Sequence, residues 1–345
     1  MKINNLSRNN PNFTGMLNNK LLLKSLEKIS EHGTSFSAGT SLAMSLTARP
    51  LAIWMTPDTE KENKQYAISN SICSGFIKFG MVEAVALPIE NAVKMIDKNP
   101  QKFMQSQTIK NLQNGSSNLL NAKGYKFATQ MLKLGTGFVT AIPKSILTIA
   151  LIPVIMDKLF KVKKSSKGTS SISQTQISTK STKSSKVAFT GKFLEPVAKG
   201  IGKLLDNEGV QKFAKKYADD EKNIAKHMAA GTDILLTTMS SLQIFNSSKI
   251  KEDRKKALVY SNIIATGATL GGGYGIDRII KKQTEKFVDK FVKINAGDAK
   301  LHKYIQGINI VRPAIIFAAV YYGILPVFST YLAEKTDKFL TKSKN

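Results

Sequence analysis

The chain has 345 residues, of which 42% are hydrophobic, so it can bury a large core and is not disordered as a whole. Its 51 basic residues against 24 acidic ones give a formal net charge of +27, and its single cysteine excludes an intramolecular disulfide. Only five basic residues are arginine, whereas nucleic-acid readers rely on arginine forks and aromatic stacking. We therefore expect an anionic membrane surface as the partner rather than nucleic acid, with a lysine-favouring genome as the alternative explanation of the charge.

The N-terminal residues 1–15 form an Asn-rich arm that ends in Phe13-Thr14-Gly15. This arm lacks the basic and apolar regions of a signal peptide, so no cleavable signal is predicted. The spacing then predicts a basic amphipathic helix over residues 16–31. Its two faces are apolar (Leu22, Leu26, Ile29) and basic (Lys20, Lys24, Lys28).

Three apolar segments follow the amphipathic helix, and a polar stretch comes after them. The apolar segments cover 36–55, 67–89 and 134–156, with a basic connector at 91–126. Residues 161–187 consist almost entirely of Ser, Thr, Lys, Gln and Gly. Such a composition cannot bury enough apolar area to offset its ordering entropy, so we predict a flexible linker there.

A duplication relates the two sides of this linker. Residues 38–98 align without a gap to residues 230–290 at an offset of 192, with 13 identical positions out of 61. The identities cluster, for example Ser69-Asn70 with Ser261-Asn262 and Gly75 with Gly267. The Ser-Asn pairs are interpreted either as helix caps or as residues that bond between the two halves.

The second half repeats the order of the first. Gly191 closes a second Phe-Thr-Gly tripeptide, which is either a docking motif or a helix entry, and basic amphipathic and apolar segments follow it. Strand patterns are nearly absent, so the predicted fold is all-α: an internally duplicated multi-helix bundle with about three apolar helices in each half. The expected units are the arm 1–15, a first repeat 16–160, the linker 161–187, a second repeat 188–335 and a basic tail 336–345.

Two apolar segments are free of charge over the length that spans a bilayer, namely 257–276 and 313–333. They predict a membrane protein of the bacterial inner or plasma membrane. Five glycines are interpreted as helix-packing residues, because small residues let helices approach closely in lipid. These glycines are Gly75, Gly80, Gly267, Gly271 and Gly275. The alternative is that 271–275 forms a loop.

Five charged residues interrupt the apolar segments: Arg49, Lys78, Glu83, Lys144 and Asp233. Charges inside a membrane usually mark a pathway or a paired site, so they are candidates for an intramembrane polar site in which Glu83 pairs with Lys78 or Lys144. The alternative, which the repeat favours, is that they snorkel to the membrane surface. Uncharged residues occupy the matching positions of the second half (Leu270 for Lys78, Gly275 for Glu83).

Catalytic and metal-binding patterns do not occur in this sequence. The phosphate-loop, dinucleotide and nucleophile-elbow motifs all fail, so no enzyme activity or cofactor is predicted. His32, His227 and His302 are far apart and are interpreted as solvated, and Cys73 is interpreted as an inert packing residue.

The expected function is therefore that of a non-enzymatic membrane-organising or lipid-interacting protein, and formation of a homo-oligomer stays open. One alternative is a solute or ion carrier with its site between the repeats, whose halves would run antiparallel if all six apolar segments span the membrane. A second alternative is a soluble cationic helical adaptor for acidic partners. Nearly every connector is basic, so the charges do not indicate which connectors would lie on which side of a membrane, and this argues against simple spanning.

Overall fold

The computed structural model describes residues 17–56, 61–141, 143, 146–147, 191–246 and 252–326. Within these ranges the structure contains helices and no strands, which confirms the all-α prediction. Several predictions concern residues outside this part of the chain: the arm, the linker, the tail, Lys144 and both Phe-Thr pairs.

Seven α-helices of the first half have bounds within the described residues. They are α1 (Lys20–Glu31), α2 (Gly33–Leu46), α3 (Ala48–Met55), α4 (Lys61–Lys98), α5 (Pro100–Phe103), α6 (Ser106–Gln113) and α7 (Lys123–Leu134). Asn19 caps α1, since its side-chain oxygen accepts a hydrogen bond from the Leu21 amide at 2.8 Å. Helices α2 and α3 are separated at Thr47 because Pro50 cannot donate the helical hydrogen bond and clashes with the preceding turn.

Five α-helices of the second half have bounds within the described residues. They are α8 (Gly191–Asp206), α9 (Glu208–Lys216), α10 (Ile224–Phe245), α11 (Glu252–Ile294) and α12 (Leu301–Ala319), and a π-helical turn, Val320–Ile324, extends the last of them. Helix α10 continues where α2 and α3 are broken, and Leu242 stands at the position of Pro50. The alternative of a loop at 271–275 is wrong, because α11 runs through those residues without interruption.

One end of the molecule, which we call the base, contains the well-packed core. It consists of α1, residues 86–98 of α4, α5 to α9, residues 277–294 of α11 and residues 301–312 of α12. Its largest cluster joins the end of α4 to α7, α8 and α9 through side chains such as Ile96, Tyr125 and Leu205, each at most 2% exposed. A second cluster packs Leu23 and Leu26 of α1 against Phe291 and Tyr304. The apolar face of α1 is thus packed against the protein.

Two helical hairpins extend from the base. Helices α2 and α3 pack on α4 to form one, and α10 packs on α11 to form the other, with α12 beside both. Each hairpin begins and ends at the base, so the two have the same orientation. This common orientation of the hairpins differs from the antiparallel one that is expected if all six apolar segments span a membrane.

The hairpins and the end of α12 form an apolar zone. It consists of residues 34–55, 65–85, 228–245, 257–276 and 313–326, and its only charged side chains are Arg49, Lys78, Glu83 and Asp233. Each of the four hairpin stretches is about 30 Å long at 1.5 Å per helical residue. Charged residues at the beginnings of α4 (61–64) and α11 (252–256) bound the zone at one end, and the base bounds it at the other.

Two helical stretches of the described chain are long and apolar enough to cross a membrane. They are Ala67–Lys98, with a mean hydropathy of 1.6, and Leu301–Ile324, with 1.5. The second overlaps the predicted segment 313–333, which the structure describes as far as residue 326. The charge-free segment 257–276 is not among them, because glycine and hydroxyl residues lower its hydropathy.

Helix α8 approaches the end of α5 closely at Gly202, which gives a prediction about stability. A Cβ atom at this position would overlap the carbonyl oxygen of Phe103. We expect Gly202→Ala to lower the free energy of unfolding by about 1–3 kcal/mol, measured by denaturant titration, because the two helices must separate. The matched control is Gly200→Ala on the same helix, where a Cβ would meet nothing within 4 Å. It should stabilise the chain by up to about 1 kcal/mol. Equal stability of both variants would contradict this packing.

Candidate functional site

A cavity of about 930 Å³ lies in the apolar zone, between the two hairpins. Helices α2, α3 and α4 line one side of it, and α10, α11 and α12 line the other. Its volume lies within the range of ligand pockets in proteins. Both halves of the chain therefore contribute to one partly open cavity.

Three of the five candidate polar residues, Arg49, Lys78 and Asp233, line this cavity. They surround Tyr321, because the charges of all three act on its hydroxyl group and the guanidinium carbon of Arg49 lies 5.8 Å from the centre of its ring. Tyr321 belongs to the π-helical turn, a wider turn that is frequent at functional sites. No pattern in the sequence marks Tyr321 as a member of this group.

Glu83 does not pair with Lys78, which corrects the predicted partnership. The two residues are five positions apart on α4 and therefore point to faces about 140° apart. Glu83 instead accepts a hydrogen bond at 3.2 Å from the Ser35 hydroxyl, below the cavity. Its other carboxylate oxygen is buried without a hydrogen-bond partner.

The rest of the cavity wall is a mixture of apolar side chains and hydroxyl groups. The apolar part includes Leu42, Phe79, Val82, Leu236, Ile310 and Phe317. The hydroxyl part includes Ser37, Ser41, Ser45, Thr232, Thr237 and Ser240. Such a wall suits an amphipathic ligand, because the chain of the ligand can lie on the apolar side chains while its polar end reaches Arg49 and Lys78.

The glycines predicted to pack helices differ in their surroundings. A Cβ at Gly75 would lie 2.8 Å from the Cβ of Ser45, so this glycine permits close packing of α2 on α4. At Gly80, Gly267, Gly271 and Gly275 a Cβ would meet nothing within 4 Å. On α11 the close approach falls on two other glycines, Gly272 beside Val320 and Gly273 beside Phe317.

Two of the three histidines have polar partners, and of these two His32 is partly buried whereas His227 is exposed. His32 Nδ1 lies 3.2 Å from a carboxylate oxygen of Glu90, and His227 Nδ1 lies 2.9 Å from the Tyr274 hydroxyl. The cysteine, Cys73, is buried. Among the described residues no group of three or more His, Cys, Asp or Glu side chains could hold a metal ion.

The Ser-Asn pairs do not cap helices, because α4 begins at Lys61 and α11 at Glu252, well before them. Asn262 lines the cavity, and Ser69 is buried within α4. Both pairs lie inside long helices, so the remaining interpretation is that they form hydrogen bonds between the two halves. This interpretation stays a prediction.

An ion network at the base gives a prediction about acid stability. Glu31 accepts hydrogen bonds from Lys94 and Lys303, both at 2.6 Å. Burial raises its pKa, but the two lysines outweigh burial and lower the pKa from 4.5 to about 2. Because the folded-state pKa is lowered, this carboxylate stabilises the fold above pH 4.5, and the contribution is lost as the pH falls towards about 2.

Glu31→Gln should therefore reduce the decrease in the free energy of unfolding between pH 4.5 and about 2. Denaturant titrations at a series of pH values measure this decrease. The matched control is Glu208→Gln, whose side chain on α9 is 83% exposed and pairs only with the equally exposed Lys212. It should leave the acid profile unchanged. A Glu31→Gln profile parallel to that of the wild type would contradict the assignment.

Comparison with known proteins returned no relative: no family model, no curated protein and no solved structure matches the chain.

Proposed function

We propose that the chain is a non-enzymatic, membrane-embedded helical protein that binds an anionic amphiphile, such as a lipid, between its two hairpins. The apolar zone is the observation that carries the proposal. It is about 30 Å long between charged tips and a charged base, which is the thickness of the hydrocarbon layer of a bilayer. Large apolar side chains are exposed on it, including Trp54 at 69% and Ile264 at 57%. Water would disfavour such a surface, whereas lipid would cover it.

The helix bounds support the duplication that is part of this proposal. Helices α4 and α11 coincide when the offset of 192 is applied, to within a few residues at each end. Matching positions also face each other in both hairpins. Ser45 lies against Gly75 and accepts, through its carbonyl oxygen, a hydrogen bond from Ser71, while Thr237, the counterpart of Ser45, bonds to Thr266. We infer two parallel repeats with the cavity between them, an arrangement that membrane transporters also use.

The charges of the cavity determine the class of ligand. Arg49 and Lys78 supply two positive charges and Asp233 one negative charge, so the wall has an excess of one cation. A single carboxylate or phosphodiester group would balance it, and an attached acyl chain would cover the apolar wall. These are the properties of a fatty acid or an anionic phospholipid.

Membrane embedding is tested with two matched substitutions of equally exposed residues. Ile264 lies in the apolar zone with 57% exposure, and Leu204 lies at the base with 52%. In lipid, Ile264→Lys should cost about 2.5–3.5 kcal/mol and move protein from the alkali-resistant membrane pellet into the supernatant. Leu204→Lys should have no such effect. Wild-type protein that alkaline carbonate releases completely would overturn the proposal and favour the soluble adaptor.

Ligand binding is tested with a fluorescent long-chain carboxylate and the purified chain in detergent. We expect Arg49→Gln and Lys78→Gln each to weaken binding by about tenfold, which corresponds to one charge-assisted hydrogen bond. Lys110→Gln, an exposed lysine of α6, is the control and should bind as the wild type does. Equal affinity of all three variants would exclude the cavity as the site.

The location of the cavity between the hairpins also favours a second function, that of a carrier for an anionic solute. Reconstitution into lipid vesicles separates the two functions. Uptake of an anionic solute that Arg49→Gln abolishes would assign the protein to the carriers, whereas binding without uptake would assign it to the lipid-binding proteins.

A further inference from the structure

A second cavity, of about 460 Å³, lies in the base and is separate from the site between the hairpins. It is formed by α1, the end of α4, α7 and the beginning of α12, and we call it the basic cavity. Seven lysines line it: Lys24, Lys28, Lys94, Lys98, Lys126, Lys133 and Lys303. Only three acidic residues do so, Glu27, Glu31 and Asp97. Seven positive charges less three negative ones leave a formal excess of four.

The three carboxylates already have partners in the protein. Glu31 bonds to two of the lysines, as described above. Glu27 pairs with Lys300, outside the cavity wall, at 2.9 Å. Asp97 accepts a hydrogen bond from the Tyr125 hydroxyl at 2.7 Å. The carboxylates are therefore not available to neutralise the remaining lysines.

Several lysines of the basic cavity lack a carboxylate partner. Lys133 is buried, and its ammonium group donates to the backbone carbonyl of Ser30 at 2.7 Å. Within the described part of the chain, no ion pair forms at Lys24, Lys28, Lys98 or Lys126. Cations gathered in a concave, partly desolvated site repel one another, and this repulsion costs stability that a bound anion would restore.

We propose that the basic cavity binds a multivalent phosphoryl anion, a phosphate monoester or a pyrophosphate group. A monovalent anion would leave most of the excess charge in place, and the volume suits a small molecule or a head group rather than a nucleic-acid strand. The side-chain amide of Gln306, also in the wall, offers a further hydrogen bond to a phosphoryl oxygen. The same chemistry is found in the head group of a phosphomonoester lipid and in a free phosphorylated metabolite.

The test uses the full chain in detergent with inorganic pyrophosphate at constant ionic strength. The midpoint of thermal unfolding should rise with pyrophosphate concentration and saturate, as ligand binding to the folded state requires. The double variant Lys98→Gln/Lys126→Gln should weaken apparent binding by at least about tenfold, because it removes two cations that have no partner in the protein. Both residues lack ion pairs and add to the repulsion among the lysines, so the unliganded variant should unfold at the wild-type midpoint or above it.

The control variant is Lys110→Gln, which removes an exposed charge outside the basic cavity and should leave pyrophosphate binding unchanged. An equal loss of binding in the control and the double variant would overturn the proposal, since it would indicate general charge attraction. So would a midpoint that does not respond to pyrophosphate.

The source of the phosphoryl group is decided by competition. The chain is reconstituted into phosphatidylcholine vesicles with or without phosphatidic acid, and pyrophosphate binding is measured in both. Weaker binding in the presence of phosphatidic acid would assign the cavity to a lipid head group. Equal binding would assign it to a soluble phosphorylated molecule.

Discussion

Replacing Asp277 with asparagine is expected to lower the free energy of unfolding by about 3–5 kcal/mol, because it leaves two cations buried without their counter-charge. Asp277 lies on α11 with its side chain 5% exposed. Its two carboxylate oxygens lie 2.8 Å from Lys226 of α10 and 2.8 Å from Arg312 of α12. One carboxylate thus holds three helices together at the boundary between the base and the apolar zone.

The geometry of this triad explains why the loss should be large. The Lys226 ammonium group donates a hydrogen bond to Asp277, whereas Arg312 Nε is in ionic contact without the alignment of a hydrogen bond. The pairing with Arg312 therefore relies on charge, which asparagine cannot supply even though it fills the same volume. Without the carboxylate, two positive charges of low exposure face each other across the helix junction.

Two further variants distinguish stranded charges from lost packing. Asp289→Asn removes an exposed carboxylate from the same helix and should change the stability by less than about 0.5 kcal/mol. The triple variant Lys226→Met/Asp277→Leu/Arg312→Met replaces the triad with apolar side chains and should recover most of the loss, as replacements of buried ion networks often do. Denaturant titrations of the purified variants measure both. A loss below about 1 kcal/mol in Asp277→Asn would contradict this account.

The sequence predicted the elements of this fold better than their contacts. Helical periodicity and the near absence of strand patterns were sufficient for the all-α class, and the charged residues within apolar segments pointed to Arg49, Lys78 and Asp233. The partners of these residues could not be predicted, because they depend on how two distant hairpins meet. Tyr321 reaches the cavity from a helix that follows the duplicated region, so the repeat contained no information about it.

The basic amphipathic helices show a second limit of the sequence. The alternation of leucine and lysine in residues 16–31 predicts a helix with one apolar face but does not identify what covers that face. A lipid surface and a protein surface satisfy the same pattern. In the structure Leu26 packs against the protein core, and the lysines of α1 line the basic cavity. Four of the 27 excess positive charges of the chain thus lie in the wall of the basic cavity.

Glu90 is the residue of α4 that most directly positions the first hairpin, although no sequence motif marks it. Its side chain is fully buried and accepts hydrogen bonds from the Thr34 amide at 2.7 Å and the Ser35 amide at 3.3 Å. Its other oxygen accepts from the Ser35 hydroxyl at 2.9 Å. A carboxylate at this position satisfies the free amides at the N-terminus of α2 and interacts favourably with the helix dipole.

We expect Glu90→Ala to lower the free energy of unfolding by about 3 kcal/mol or more, since charge-assisted hydrogen bonds contribute about 1.5–3 kcal/mol each and their donors would stay buried. Glu90→Gln should lose less, because its amide oxygen can still accept from Thr34. Glu285→Ala, on an exposed site of α11, is the control and should be near neutral. Because α2 also forms one wall of the cavity, Glu90→Ala should weaken binding of the fluorescent carboxylate as well. Loss of stability without loss of binding would show that the entry of α2 does not determine the shape of the cavity.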